Sequence, residues 1–223
     1  MQTLKSNFST SIWAIFRKDL LCEFRSSYSI ATLIMFALTA LSSVSMTNPG
    51  VALSPDFAAS LLWVVLFFCA MAGLSRVFVN EQESGTLIGL RMYASGQAVF
   101  IGKFLFNLLL LLFLSCFVIP LFVLFFNIDI NDWLAFIKIL ILGCTGIAAV
   151  STLMAAIVIY THGKQAIFTV ITFPILLPQF LCAVNSTVKV FSGLAPEGLL
   201  FMFGYNLAVL AAGLLLFDYI WHD

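Results

Sequence analysis

Apolar residues fill this chain in long unbroken blocks rather than in alternation with polar ones. Between its charged residues lie six uncharged stretches of 19 residues or more, at 26–55, 57–75, 104–128, 139–163, 165–188 and 198–217. A helix needs about 20 mostly apolar residues to cross the hydrocarbon core of a bilayer. The pattern predicts six transmembrane helices near residues 30–46, 57–74, 104–126, 133–159, 166–184 and 199–217. The blocks are apolar on every side, whereas the strands of a membrane barrel alternate, which excludes a barrel. The expected fold class is all-α, a polytopic membrane protein with residues 1–223 forming a single transmembrane domain.

The segment ahead of the first block has a different rhythm. Ile12, Phe16, Leu20 and Phe24 recur every four residues with Trp13 and Leu21 beside them, and Arg17, Lys18, Glu23 and Arg25 lie largely off that stripe. This spacing predicts an amphipathic helix over residues 10–25, capped by Thr or Ser and lying in the membrane interface. Such a helix anchors the first span, alone or together with a docking role. No small-residue cleavage site follows the first span, so it does not read as a signal peptide.

Composition narrows the function classes. Of 223 residues, 62% are hydrophobic and 9% charged, with mean hydropathy +1.12. A soluble domain carries about 25% charged residues, so a soluble enzyme, a disordered chain and a nucleic-acid binder are excluded. Net charge is zero, but the Lys and Arg residues are unevenly placed. Eight (Lys5, Arg17, Lys18, Arg25, Arg76, Arg91, Lys103, Lys164) fall on one side of the predicted spans, and Lys138 and Lys189 fall on the other. By the positive-inside rule the first side is cytoplasmic and holds both termini. The five cysteines show no C-x-x-C or zinc spacing and read as small hydrophobes. His162, at a span end, and His222, in the tail, read as interface residues before haem ligands. Pro120, Pro174 and Pro178 lie within spans, as hinges or as packing features. The chain has no P-loop, no H-E-x-x-H and no nucleophile–base set, so no catalytic or metal residue is assigned. Any ATP hydrolysis belongs to a separate partner chain.

The loop at 76–103 is longer than a plain connection of about 2–8 residues requires. It carries Glu81, Glu83, Gly85, Thr86, Leu87, Leu90 and Arg91, in which Leu87, Leu90 and Arg91 have helical spacing, and Ser95-Gly96 breaks the helix before the next span. Length and charge suggest a docking element. On the other side, Asn48-Pro49-Gly50 and residues 127–132 read as tight turns, and residues 185–198 as a longer loop.

An amphipathic first helix, six spans and the run Glu81-x-Glu83-x-Gly85-Thr86-Leu87-x-x-Leu90 followed by Gly102-Lys103 resemble the permease subunits of ABC-2-type transporters. Within that group the chain is most similar to the CcmB family, the haem-exporter permeases of cytochrome c maturation. Arg17-Lys18-Asp19-Leu20 in the arm and Gly73-Leu74-Ser75-Arg76 before the loop add to the likeness. Met92-Tyr93-Ala94-Ser95 departs from it, since the family often has a Pro shortly after Leu90. The resemblance implies a non-catalytic subunit in the bacterial inner membrane. Its partners would be an ABC ATPase subunit that carries the ATP, a haem-handling membrane subunit, a small single-span subunit and a haem chaperone. Haem would be a substrate rather than a bound cofactor. The alternatives are an ABC-2 permease for a lipid or polysaccharide, and a membrane scaffold that conducts nothing.

Reporter fusions test the orientation. Fusions after Asn48, Asn131 and Asn185 are expected to score extracytoplasmic, and fusions near Gly85 and His162 cytoplasmic. An extracytoplasmic signal at Gly85 would reverse the topology.

Overall fold

With no water in hydrocarbon, each backbone N–H and C=O of a spanning segment must be satisfied within the protein, and helices do this locally. The computed structural model describes residues 8–25, 28–47, 53–74, 81, 85–158 and 164–222, and no strand occurs among them. In chain order the helices are α1 (Phe8–Arg25), α2 (Tyr28–Thr47), α3 (Pro55–Leu74), the short α4 (Leu87–Tyr93), α5 (Gly96–Phe126), α6 (Trp133–Val158), α7 (Lys164–Phe191) and α8 (Leu199–His222). Six of them (α2, α3, α5, α6, α7 and α8) are long and apolar enough to cross a membrane. That agrees with the six expected spans. The turn at 48–50 and His162 lie outside the described residues, as does the helix-free part of the 76–103 loop apart from Glu81, Gly85, Thr86, Ala94 and Ser95.

Several boundaries differ from the sequence reading, and one physical reason covers the start of α5, the end of α7 and the end of α8, which runs past Asp218 to His222. Helix α5 begins at Gly96 rather than near 104 and runs 31 residues, about 46 Å at 1.5 Å per residue. That exceeds a hydrocarbon core of about 30 Å, so the surplus turns extend at the Lys/Arg-rich end and carry Lys103 inside the helix. Ser95 starts it, its Oγ accepting from the Ala98 N–H at 3.4 Å. Helix α7 likewise continues to Phe191 and takes Lys189 into its last turn. The connection to α8 is therefore only residues 192–198, turned by Gly193 and Gly198 at φ 74° and 86°, with Lys189 paired to Glu197. A charge ends an uncharged window, but it does not end a helix. At the front of the chain, α1 starts at Phe8, so Thr10 and Ser11 lie inside its first turns rather than capping it.

Helix α6 forms the centre of the bundle, packed by α5, α7 and α8 and touched by α3. Close approach is set by glycine. The Trp63 indole of α3 lies on the bare backbone of Gly143, where a Cβ would overlap the ring. Its Nε1 donates to Thr187 Oγ1 of α7 at 2.9 Å. Phe100 of α5 packs against Gly213 of α8 in the same way. Helices α2 and α8 keep most of their surface outward, with Met46, Leu200 and Phe203 exposed. At the end remote from α1, Asn127 closes α5 in the left-handed region at φ 46°, and Asp132 Oδ1 accepts from the Ala135 N–H at 3.0 Å to start α6.

Gly143→Ala is expected to lower thermal stability in detergent, because overpacking costs about 1–3 kcal/mol. Gly204→Ala meets open space and is expected to leave the melting temperature unchanged. Equal melting temperatures for the two variants would remove Trp63–Gly143 as a packing determinant.

Candidate functional site

The site is built from α1 inward. Its buried line is Ser11, Ile15 and Asp19, spaced four apart, with Ile12, Phe16 and Leu20 half-buried beside it. The apolar stripe foreseen from the sequence is thus a flank, and the innermost line carries a carboxylate. The reason is the neighbour: α1 lies along α5, a protein surface that can pair a charge. Gly102 of α5 lets it approach, since a Cβ there would stand 2.9 Å from Ile15 Cγ2 and 3.2 Å from the Ile12 carbonyl oxygen. The outward face of α1 shows Trp13, 64% exposed, and Leu21, 59% exposed, together with exposed Arg17 and Arg25. That face suits a membrane interface. Trp13 also stacks on Phe16, ring centroids 5.5 Å apart. The Phe24 side chain lies outside the described residues.

Asp19 leads to a buried ionic junction. The Lys103 ammonium, fully buried in the second turn of α5, donates to Glu81 Oε1 at 2.9 Å and to Asp19 Oδ2 at 3.2 Å. Lys18 of α1 closes the set, 3.2 Å from Asp19 Oδ1 and bonded to the same Glu81 oxygen. Two ammonium groups thus face two carboxylates drawn from α1, the loop after α3, and α5. Burial pushes the Glu81 carboxyl up, but Lys103 and Lys18 outweigh it and hold its pKa below the ordinary carboxylate value. Burial lowers the Lys18 pKa, and Asp19 and Glu81 outweigh it in turn, so the pKa is raised.

The loop is tied to the same point. The Thr86 N–H donates to the Glu81 carbonyl at 3.0 Å, and the Thr86 hydroxyl to the same oxygen at 3.4 Å. Gly85 makes this return possible. It sits at φ 69°, where an L side chain is strained, and nothing else occupies the space around it. Helix α4 then begins, and Leu90 packs back onto the core. Among its described side chains, α4 exposes Met92 at 81% and Tyr93 at 52%, beside exposed Gly89.

Of the residues singled out in the sequence, Glu81 joins Lys18 and Asp19 of the arm, Gly85 and Thr86 turn the loop back to the Glu81 carbonyl, and Leu90 packs on the core. Glu83 lies outside the described residues, as do the side chains of Leu87 and Arg91, although both backbones are helical in α4. The His222 side chain is likewise undescribed. Two groups escaped sequence reasoning. Lys103 counted as a loop charge, although the Ser95 cap places it two turns inside a helix. Met92 and Tyr93 passed as a mere departure from a motif. Pro120 is within α5, and Pro174 and Pro178 are within α7.

Comparison with known proteins matches residues 10–219 to the family described as CcmB protein. The chain belongs to the CcmB family, the haem-exporter permeases of the cytochrome c maturation system, and is a membrane subunit of an ABC transporter. No curated protein matches it.

Removing Lys103 takes an ammonium from both Asp19 and Glu81, and breaking a buried pair costs about 3–5 kcal/mol. Lys103→Met is therefore expected to loosen α1, read as faster hydrogen exchange of the α1 amides. Asp19→Asn and Glu81→Gln each remove one of the carboxylates paired with Lys103, so the double variant is expected to lose more than the sum of the singles. Additive losses would show that the four charges do not act together.

The pH dependence has a definite sign. Glu81, with its pKa depressed, stabilises the fold above its unfolded value, about 4.3, and this is lost as pH falls through the folded value. Lys18, with its pKa raised, stabilises below about 10.4, and this is lost as pH rises through its folded value. Protection of α1 is expected to be flat from about pH 5 to 10 and to fall at more acid pH. Loosening that began near neutrality would contradict this.

Proposed function

We propose that the Lys/Arg-rich end of the bundle is cytoplasmic and that residues 81–93 form the element through which a partner ABC ATPase drives this permease. The observation that carries this reading is the buried junction of Lys18, Asp19, Glu81 and Lys103. It makes one mechanical unit of α1, the loop and the longest spanning helix. A force applied to α4 reaches the core through Leu90 and reaches α5 through the Glu81 backbone turn and its carboxylate. Because Glu81 is committed inward, partner contact falls to the exposed rim: Gly85, Thr86, Met92 and Tyr93, with Glu83, Leu87 and Arg91 completing the element. On the other flank Trp13, Phe16, Arg17, Leu20, Phe24 and Arg25 hold α1 in the interface.

In this reading ATP is bound and hydrolysed on the partner subunit, and nucleotide-driven closure pulls on α5. The complex sits in the bacterial inner membrane with both termini of this chain inside. It works with a haem-handling membrane subunit, a small single-span subunit and a haem chaperone, exporting haem or releasing the loaded chaperone in c-type cytochrome biogenesis. The chain contributes no chemistry of its own.

Interface mutagenesis tests the docking element. Covering Met92 or Tyr93 contributes about 1.5–3 kcal/mol each, and about 1.4 kcal/mol is tenfold in affinity. Met92→Glu and Tyr93→Ala are expected to insert normally, yet to lower ATPase co-purification about tenfold or more and to lower c-type cytochrome yield with it. Gly85→Val, forced to φ 69°, is expected to behave likewise. Normal pull-down and normal cytochrome yield from all three well-expressed variants would overturn the docking role.

A further inference from the structure

A second polar set lies in the bundle, separate from the ionic junction. Gln179 of α7 and Asn206 of α8, 1% and 4% exposed, converge on a single backbone carbonyl of α6. Gln179 Nε2 donates to the Leu142 oxygen at 3.1 Å, and Asn206 Nδ2 donates to the same oxygen at 2.8 Å. One turn on, Gly146 leaves the space these amides occupy. A Cβ there would stand 2.7 Å from Asn206 Oδ1 and 2.9 Å from Gln179 Nε2.

This geometry fixes the amide orientations. Each NH₂ group must face the Leu142 carbonyl, because a carbonyl accepts and does not donate. The other ends, Gln179 Oε1 and Asn206 Oδ1, are then buried acceptors without a hydrogen-bond partner. The same need recurs along α6 towards the α1 end. Asn107 of α5 spends its Nδ2 on Thr152 Oγ1 at 2.8 Å, which leaves Asn107 Oδ1 without a donor, and Ser151 Oγ is also without a partner. From Leu142 to Ser151 is about 14 Å along the helix. Asn107 lies one turn from Lys103 on α5, and both are fully buried.

Unpaired polar atoms at membrane depth are costly, and folded proteins answer them with ordered water. Three of these four atoms are pure acceptors, so what satisfies them must bring donors. A cation would bring charge to a place where the adjoining side chains are neutral carboxamides and hydroxyls, with no carboxylate beside Gln179 and Asn206 among the described residues to balance it. The neutral molecule with two donors is water.

We propose that α6 is lined by internal, tightly held water that donates to Gln179 Oε1, Asn206 Oδ1 and Asn107 Oδ1, forming a hydrated seam between α6 and its neighbours α5, α7 and α8. The seam holds these helices together through exchangeable hydrogen bonds rather than through dry packing alone.

The test is water-edited solid-state NMR on the full-length chain in lipid bilayers with ¹⁵N-labelled Asn, Gln, Ala and Val. It needs no ATPase, so its outcome is independent of the docking reading. The probe is bulk and internal water itself, with the side-chain amide of exposed Asn131 as the wet reference and the buried α3 backbone amides of Ala59, Val65 and Ala70 as the dry one. The Gln179 and Asn206 side-chain amides, assigned with Gln179→Leu and Asn206→Leu, are expected to gain water magnetisation several-fold faster than the dry reference. Transfer to both amides as slow as to those three backbone amides, in the folded wild-type protein, would overturn the proposal whatever Asn107 shows.

Discussion

A buried ammonium group is the constraint on which the Lys/Arg-rich end of this protein depends. Lys103 is fully enclosed, and an uncompensated charge taken from water into a protein interior carries a penalty of several kcal/mol. Its counter-charges therefore have to be brought to it. Asp19 arrives on α1 and Glu81 on the loop after α3, while Lys18 balances the second carboxylate at the rim. A helix expected to lie in the interface as an anchor is thereby pinned to a spanning helix, and the loop read as a docking element is pinned beside it. Gly102 and Gly85 are the two places where the backbone makes room: one for close helix approach, the other for the turn that returns the chain to Glu81.

The same logic separates what the sequence reveals from what it conceals. Six spans were legible because a bilayer demands long apolar blocks, and the family was legible from the arm and the loop together. The helix at Leu87–Tyr93 was legible from the spacing of Leu87, Leu90 and Arg91. Lys103 was not, because counting uncharged windows treats every charge as a boundary, and only folding shows that a charge can be paired inside a helix. The inner face of α1 was misjudged for a related reason. An apolar stripe predicts the buried side when the neighbour is lipid, but here the neighbour is α5 with a cation, so Asp19 turns inward. The convergence of Gln179 and Asn206 on one carbonyl was out of reach altogether, since nothing in their separation along the chain brings α7 and α8 to Leu142 of α6.

Stability and motion divide between two regions. In the middle of the bundle, Trp63 on Gly143 and the carboxamides on Gly146 hold α3, α6, α7 and α8 by close contact and neutral hydrogen bonds. At the α1 end, charge holds α1, the loop and α5. A permease has to pass movement from its cytoplasmic surface into its spans without pulling its core apart. An ionic clamp joined to a helix about three turns longer than the core needs is suited to receive that movement.

The central claim is that α1, the loop and α5 move as one body. Spin labels at Arg17 of α1 and Gly89 of α4 in the assembled complex measure this most directly, by electron–electron distance with and without nucleotide. The account predicts a distance that does not change with nucleotide in the wild-type protein and that broadens or shifts in Lys103→Met. A wild-type distance that changes with nucleotide, or a Lys103→Met distance as fixed as the wild type's, would contradict it.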